Sequence, residues 1–165
     1  MNIFKPVALT VMILATMACT QDVSSAEATQ SSNAPNTFDA ALAEEVGADD
    51  YGMRSYVLVI LKTGPKDAEI TDKEQRGEIF AGHFSNMGKL AEAGKLVLAG
   101  PLDGGDKRGL YIFNTASIEE ATQIVMTDPA VAAGIFTPEM TKYYGSAALM
   151  KINELHQKIQ KEKIE

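Results

Sequence analysis

One histidine stands where the surrounding pattern calls for an apolar residue. In the stretch EIFAGHFSNMGKLAEAG, His83 comes four residues after Ile79 and four before Met87, so the three share one face of an α-helix. An imidazole on a core-facing surface needs a hydrogen-bond partner, because its burial otherwise costs hydration. Asp128 is the candidate partner. Such a pair holds one imidazole nitrogen and leaves the other for proton transfer near neutral pH.

A structural interpretation of the same two residues remains open. A single histidine in an apolar stripe is often a hydrogen-bonded core residue. Asp128 precedes Pro129, and aspartate followed by proline is a favourable start for a helix, with the carboxylate as N-cap. The two roles are compatible, so the sequence predicts a His83–Asp128 pair that is structural, catalytic or both.

The segment AGPLDGGDKRG is a weaker candidate for ligand binding. Gly100 and Pro101 at a strand end can let backbone amides face a ligand, and Arg108 or Lys107 can meet an anion. The glycines lack the ordered spacing of a nucleotide-binding loop, and the segment is more typical of a hairpin turn. The other residues expected to line a cleft are Arg54, Tyr56, Tyr143 and Tyr144.

Composition excludes several kinds of function. The 165 residues carry a formal net charge of -7 and no basic run, which argues against nucleic acid as a partner. The single cysteine, Cys19, allows no disulfide within the chain and no cysteine metal site. The two histidines, His83 and His156, lie far apart, and no Gly-x-Ser-x-Gly motif is present. We therefore expect no metal centre and no resident cofactor.

The N-terminus has the pattern of an export signal. Lys5 precedes an apolar run over residues 7–18, which is shorter than the roughly 20 residues of a membrane-spanning helix. The run ends at Cys19, which resembles the lipidation site of a bacterial lipoprotein signal; cleavage after Ala26 is the alternative. Residues 20–37 are rich in Ser, Thr, Ala and Asn and predict a flexible tether. We expect an exported protein, periplasmic or anchored to a membrane by lipid.

The rest of the chain alternates strand and helix patterns. Residues 38–52 predict a short helical extension with Phe38, Leu42 and Val46 on its packing side. Thr71 or Asp72 can cap a long helix that ends near Gly94, and Ser117 can cap a second one. The expected elements are strands in 53–65, 95–101, 108–114 and 135–146, helices in 71–95 and 117–127, a helical turn in 128–134 and a charged terminal helix in 147–165.

This order, β-α-β-β-α-β, predicts an α+β domain over residues 53–146 with the ferredoxin-like fold, an antiparallel sheet with two helices on one face. The first three strands are apolar on both sides, so their second face also needs a cover. A second copy packed sheet against sheet is the favoured cover, and the terminal helix is the competing one.

Four stretches together resemble the YciI-like (YCII-related) family of the dimeric α/β-barrel superfamily: MRSYVLVILKTGP, HFSNMGKLAEAGKLVLAGPL, RGLYIFNTASIEEA and DPAVAAGIF. The resemblance implies a ferredoxin-like dimer with a cleft between sheet and helices. It also implies a His–Asp pair suspected of acid–base work, here His83 and Asp128. One branch of the family is similar to enzymes that dechlorinate or isomerise muconate-type products. The signal segment, tether and extra helices depart from the family pattern.

These observations favour a small, cofactor-free enzyme of the lyase, isomerase or hydrolase kind. His83 would be its general acid or base and Asp128 the orienting partner, with a small organic molecule as substrate. The alternative is a non-catalytic ligand-binding or scaffold module of the cell envelope. A third interpretation is the binding of haem or flavin, as some dimeric α/β-barrel proteins do, although the sequence carries no cofactor signature.

Overall fold

The structure is a computed structural model, and it describes residues 37–162. The predicted signal segment, the lipidation site at Cys19 and nearly all of the predicted tether lie outside the described residues. Among the residues that are described, no helix is both long enough and apolar enough to cross a membrane.

Four antiparallel strands form one sheet: β1 (Met53–Thr63), β2 (Leu96–Pro101), β3 (Lys107–Phe113) and β4 (Phe136–Ser146). Their order across the sheet is β2-β3-β1-β4, which places β1 and β3 in the centre. The sequence-based prediction of a ferredoxin-like α+β fold is therefore confirmed.

The helices begin at the capping residues that the sequence indicated. The Asp72 side chain accepts a hydrogen bond from the backbone N–H of Gln75, and the Ser117 side chain accepts one from Glu120. Gly94, with φ of 68°, follows the first of these helices. The α-helices are α1 (Ala40–Glu45), α2 (Lys73–Glu92), α3 (Ile118–Val125), α4 (Pro129–Ala132) and α5 (Ile152–Ile159); a 3₁₀ turn (Ala147–Lys151) precedes α5.

Strand β4 is more regular than its sequence suggested. It has 11 residues and pairs with β1 along its whole length, from Phe136 opposite Thr63 to Ser146 opposite Met53. Pro138 does not interrupt it, because β4 is an edge strand and a proline there need not donate to a neighbour. Pairing with an apolar central strand therefore outweighs the weak local pattern.

The main core lies between one face of the sheet and the helices. Its buried side chains include Val57, Val59 and Phe113 from the strands and Ile124 and Val125 from α3. Helix α2 covers them with half-buried residues, namely Ile79, Phe80, Met87, Leu90 and Ala91.

The opposite face of the sheet has a smaller core. Tyr56, Val97 and Ile112 are buried there, and Leu149 and Met150 of the 3₁₀ turn pack on them. The C-terminal segment thus covers part of the face that the sequence analysis assigned mainly to a second copy. Pairing of two copies through the rest of that face stays a prediction.

Candidate functional site

His83 is the one buried residue of α2, with 7% of its surface exposed. Its neighbour Gly82 explains how the imidazole reaches Asp128. A Cβ atom at position 82 would lie 3.0 Å from Cγ of Pro129, the first residue of α4. The missing side chain therefore lets α2 approach α4 closely, and this approach brings His83 next to the residue that caps α4.

Asp128 accepts hydrogen bonds from three directions. Its oxygens lie 2.8 and 3.0 Å from Nδ1 of His83, and Oδ1 accepts from the backbone N–H of Ala130 at 2.9 Å. The hydroxyl of Tyr111 donates to Oδ2 at 2.9 Å. The side chain is fully buried, so these bonds replace the water that an ionised carboxylate loses. The two interpretations of Asp128, helix cap and histidine partner, both describe its geometry.

Tyr111 completes this His83–Asp128–Tyr111 cluster, although no sequence pattern singled it out. It lies on β3 with its ring facing α2, its centroid 6.2 Å from the imidazole, and its hydroxyl 3.3 Å from Nδ1. Burial raises the pKa of Tyr111, and the charge of Asp128 and the hydrogen bond to it raise that pKa further, so the phenol remains protonated. A tyrosine on the core side of a strand could have been noticed, since its hydroxyl needs a buried acceptor.

Aromatic rings surround the imidazole. The ring centroids of Phe84, Phe136 and Phe80 lie 5.2, 5.5 and 5.9 Å from that of His83, all edge to face. The other imidazole nitrogen, Nε2, has no hydrogen-bond partner among the described residues. Arg54 Nε is the only enclosed side-chain nitrogen or oxygen there that lacks one, so Nε2 must retain some exposed surface.

This arrangement fixes the chemistry available to the ring. With Nδ1 against two carboxylate oxygens, the proton of a neutral imidazole lies on Nδ1, and Nε2 carries the free lone pair. Nε2 can then accept a proton from a bound molecule and return it, while Asp128 lies beside the positive charge that the ring acquires. The cluster therefore has the geometry of an oriented general base.

Two arginines lie next to two of these phenylalanines, and one aspartate joins the arginines. The Arg76 guanidinium stands 5.3 Å from the Phe80 ring centre, and that of Arg108 stands 5.9 Å from the Phe136 ring centre. Asp67 bridges them, and its hydrogen bond from Arg76 holds the pKa of the Asp67 carboxyl below its usual value. Arg108, the predicted anion contact, makes only a 3.3 Å contact with Asp67 and keeps 38% of its side chain exposed.

Arg54 does not reach the cluster. Its guanidinium donates to the carbonyl of Val46 and to Oδ1 of Asn114, both at 2.7 Å, and it thereby ties the end of α1 to the loop after β3. Val46 is also the only apolar residue of the predicted α1 stripe that is buried, since Phe38 and Leu42 are exposed.

The predicted cleft tyrosines gather in a different place. Tyr56 stacks on Tyr143 with ring centroids 6.1 Å apart, and its hydroxyl donates to the Ser146 carbonyl. These two rings and Tyr144 line a cavity of about 180 Å³, and the Tyr144 hydroxyl donates to Asp49. This small cavity does not include His83.

The glycine-rich segment adopts the hairpin that was its alternative interpretation. Gly100 and Pro101 pair with Leu110 and Gly109 of β3. The N–H of Lys107 donates to the Gly104 carbonyl and closes the turn. Within residues 37–162 there is no group of three or more histidine, cysteine, aspartate or glutamate side chains that could hold a metal ion.

The fold and the cluster define a class of protein: a ferredoxin-like α+β domain with a buried His–Asp–Tyr cluster between its long helix and its sheet. The family model of the YCII-related domain matches residues 56–139, half of the chain. The chain belongs to this family. The matched segment contains all three cluster residues and ends before α5.

Among solved structures, the chain is similar to 5-chloro-2-hydroxyhydroquinone dehydrochlorinase from Burkholderia phenoliruptrix AC1100, in complex with 2,5-dihydroxybenzoquinone. The two share 23% identity, the match covers 53% of this chain and 92% of that one, and the TM-score is 0.41. No protein of curated function matches the chain significantly.

Proposed function

We propose that the protein is a small acid–base enzyme that acts on a small organic molecule without a cofactor. The observation that supports this most is the state of His83. Its Nδ1 is held by the buried Asp128 carboxylate, whereas Nε2 has no partner among the described residues. Because Nε2 keeps some exposed surface, it remains available to accept a proton from a bound molecule.

In this proposal Nε2 of His83 removes a proton from the substrate and returns it at another position or to a leaving group. Asp128 is a positioning residue, because it touches the imidazole and not the substrate. Tyr111 positions Asp128 in turn through its 2.9 Å hydrogen bond. Arg108, whose side chain makes fewer hydrogen bonds than that of Arg76, would attract a substrate carboxylate or phenolate.

The test is deuterium exchange in heavy water near neutral pD, followed by proton NMR. A panel of small carbonyl and phenolic compounds, half of them carrying a carboxylate, is incubated with the wild type, His83→Gln and the control variant His156→Gln. We expect the wild type and His156→Gln to exchange the same C–H positions, and His83→Gln to be slower by about 10²–10⁴-fold, the usual contribution of a general base.

Two results would contradict this proposal. One is an unchanged exchange rate in a His83→Gln variant whose circular dichroism matches that of the wild type. The other is the absence of exchange by the wild type across the panel. A preference for the carboxylate-bearing compounds that disappears in Arg108→Gln would support the role given to Arg108.

A second function is favoured by the enclosure of the ring. Four aromatic side chains surround His83, and neither of the two cavities described for residues 37–162 is lined by it. A non-catalytic ligand-binding module would account for such packing. It predicts that His83→Gln lowers the melting temperature or the affinity for a ligand, and that the wild type itself shows no turnover.

A further inference from the structure

A groove of about 720 Å³ runs between α2, β2 and α5. This volume lies within the range of small-molecule sites, roughly 300–1,000 Å³. Its apolar side is formed by Phe84, Met87 and Ala91, which share one face of α2, and by Leu96 and Leu98 of β2. The groove therefore offers a continuous apolar surface next to, but separate from, the His83 cluster.

The polar side of the groove comes from the C-terminal segment. Asn153, His156 and Gln157 of α5 contribute amide and imidazole groups. The charged residues of the lining are nearly balanced, with Glu92 and Glu162 against Lys161. A ligand with a strong charge of either sign gains little here, whereas hydroxyl or carbonyl groups find both donors and acceptors.

A strand from another chain is a poor occupant for this groove. β2 is an edge strand, and its free edge would be the template for such an addition. The Asn153 side chain already donates to the Leu96 carbonyl on that edge, at 2.8 Å, and α5 lies beside it. The edge is thereby occupied, while the space between α2 and α5 stays open.

We propose that this groove binds an uncharged amphipathic small molecule, with its apolar part against α2 and β2 and its hydroxyl or carbonyl group against α5. The proposal goes beyond catalysis and does not require it. The groove touches the cluster only through Phe84, whose ring meets that of His83 at 5.2 Å. Its polar wall also lies outside the segment that the family model matches.

Two glycines of α2 provide a matched experiment. Gly88 lines the groove and Gly77 does not, and a Cβ at either position would meet nothing within 4 Å. Gly88→Leu therefore fills the groove without a clash at its Cβ, and Gly77→Leu adds the same side chain elsewhere on the same helix. Both variants gain helix propensity, so their folding should be affected alike.

The measurement is a titration with N-phenyl-1-naphthylamine, an uncharged dye whose fluorescence rises in apolar surroundings. We expect saturable binding to the wild type, to Gly77→Leu and to His83→Gln, and binding to Gly88→Leu that is weaker by about tenfold or more. 1-Decanol should displace the dye from the wild type at lower concentration than decanoate does.

Equal dye affinity in Gly88→Leu and the wild type would overturn the proposal, as would equal loss in both leucine variants or the absence of saturable binding. Stronger displacement by decanoate would overturn the choice of an uncharged ligand. The dye titration needs no turnover, so its result does not depend on whether the protein is an enzyme. His83→Gln should lose deuterium exchange but keep dye binding, and it therefore tests the catalytic proposal and the groove proposal separately.

Discussion

Each face of the sheet buries one tyrosine hydroxyl, and the acceptors of the two hydroxyls differ in kind. Tyr56 donates to the neutral carbonyl of Ser146, at 3.0 Å. Tyr111 donates to the carboxylate of Asp128, which also holds His83. Both rings are almost completely enclosed, with 0% and 3% of their surfaces exposed. Burial alone therefore does not distinguish the two sites.

The distinction lies in what surrounds each phenol. On the Tyr56 face the neighbouring charge is the half-buried Arg54 guanidinium, which donates to a carbonyl and to an amide oxygen and joins two segments of the chain. On the Tyr111 face the charge is a carboxylate shared by two titratable groups and a helix N-terminus. The first arrangement fastens segments of the chain together, while the second also holds a histidine with one nitrogen free. The His83–Asp128 pair, on which the proposed acid–base chemistry depends, lies on the Tyr111 face.

The comparison predicts its largest effect at Asp128. Asp128→Ala leaves Nδ1 of His83, the hydroxyl of Tyr111 and the N–H of Ala130 without their acceptor. We expect the free energy of unfolding to fall by about 3 kcal/mol or more, because each of the three buried groups left unpaired costs about 1–3 kcal/mol. Urea unfolding at pH 7 measures it. Asp128→Asn, which can still cap α4, should lose less.

A fall below about 1 kcal/mol in Asp128→Ala would contradict this prediction, since unpaired buried groups cost more than that. It would mean that the cluster is not the main buried polar network of its face. An equal loss in Asp128→Asn would show that the negative charge, and not the helix cap, carries the stability.

The second prediction concerns the opposite face. Arg54→Met removes the bonds to Val46 and Asn114, and it also removes Nε, which is buried without a partner. Removing the unpaired Nε relieves the desolvation cost of burying it. We therefore expect the free energy of unfolding to fall by only about 1–2 kcal/mol. Lys107→Met, at an exposed position, is the control and should stay within about 0.5 kcal/mol.

Urea unfolding of Arg54→Met and Asp128→Ala side by side tests the asymmetry between the faces. An equal fall in the free energy of unfolding for Arg54→Met and Asp128→Ala would contradict the predicted asymmetry. Both faces would then depend equally on their charged side chains. No effect on deuterium exchange is expected from Arg54→Met, because Arg54 lies away from the cluster.

The sequence was sufficient for the fold because the relevant signals are local. The Asp72 and Ser117 caps and the apolar strands are readable in single segments. β4 was harder, since its regularity comes from pairing with β1 and not from its own pattern. The extent to which the C-terminal segment covers the second face depends on packing between distant residues, which composition does not report.

The site was only partly visible in the sequence. His83 was conspicuous because a polar residue interrupted an apolar stripe, and Asp128 because proline followed it. Tyr111 sits in an ordinary strand pattern; its need for a buried acceptor was readable, but the identity of that acceptor, Asp128, is known only from the structure. Arg54 and Tyr56 looked like cleft residues by type alone, but sequence spacing could not place them on the other face.

The smallest predicted effect compares the two tyrosines in alkali. Burial is the main cause that raises the pKa of both phenols. At Tyr111 the charge of Asp128 raises it further, whereas at Tyr56 the charge of Arg54 opposes the rise. An unfolded tyrosine loses its proton near pH 10. Above that pH the folded protein keeps protons that the unfolded chain releases, so folding stability declines, by up to about 1.4 kcal/mol per pH unit for one group.

Tyr111→Phe and Tyr56→Phe should each lose about 1 kcal/mol at pH 7, where both wild-type phenols are protonated in either state. Between pH 10 and pH 11.5 the stability of Tyr111→Phe should then decline less steeply than that of the wild type. The variant lacks the phenolic proton that the folded wild type retains and the unfolded chain releases. Tyr56→Phe should change the slope of stability against pH less, since the charge of Arg54 opposes the rise in the pKa of Tyr56. Urea unfolding across this range gives the slopes, and a flatter curve for Tyr56→Phe than for Tyr111→Phe would reverse the order that the two faces imply.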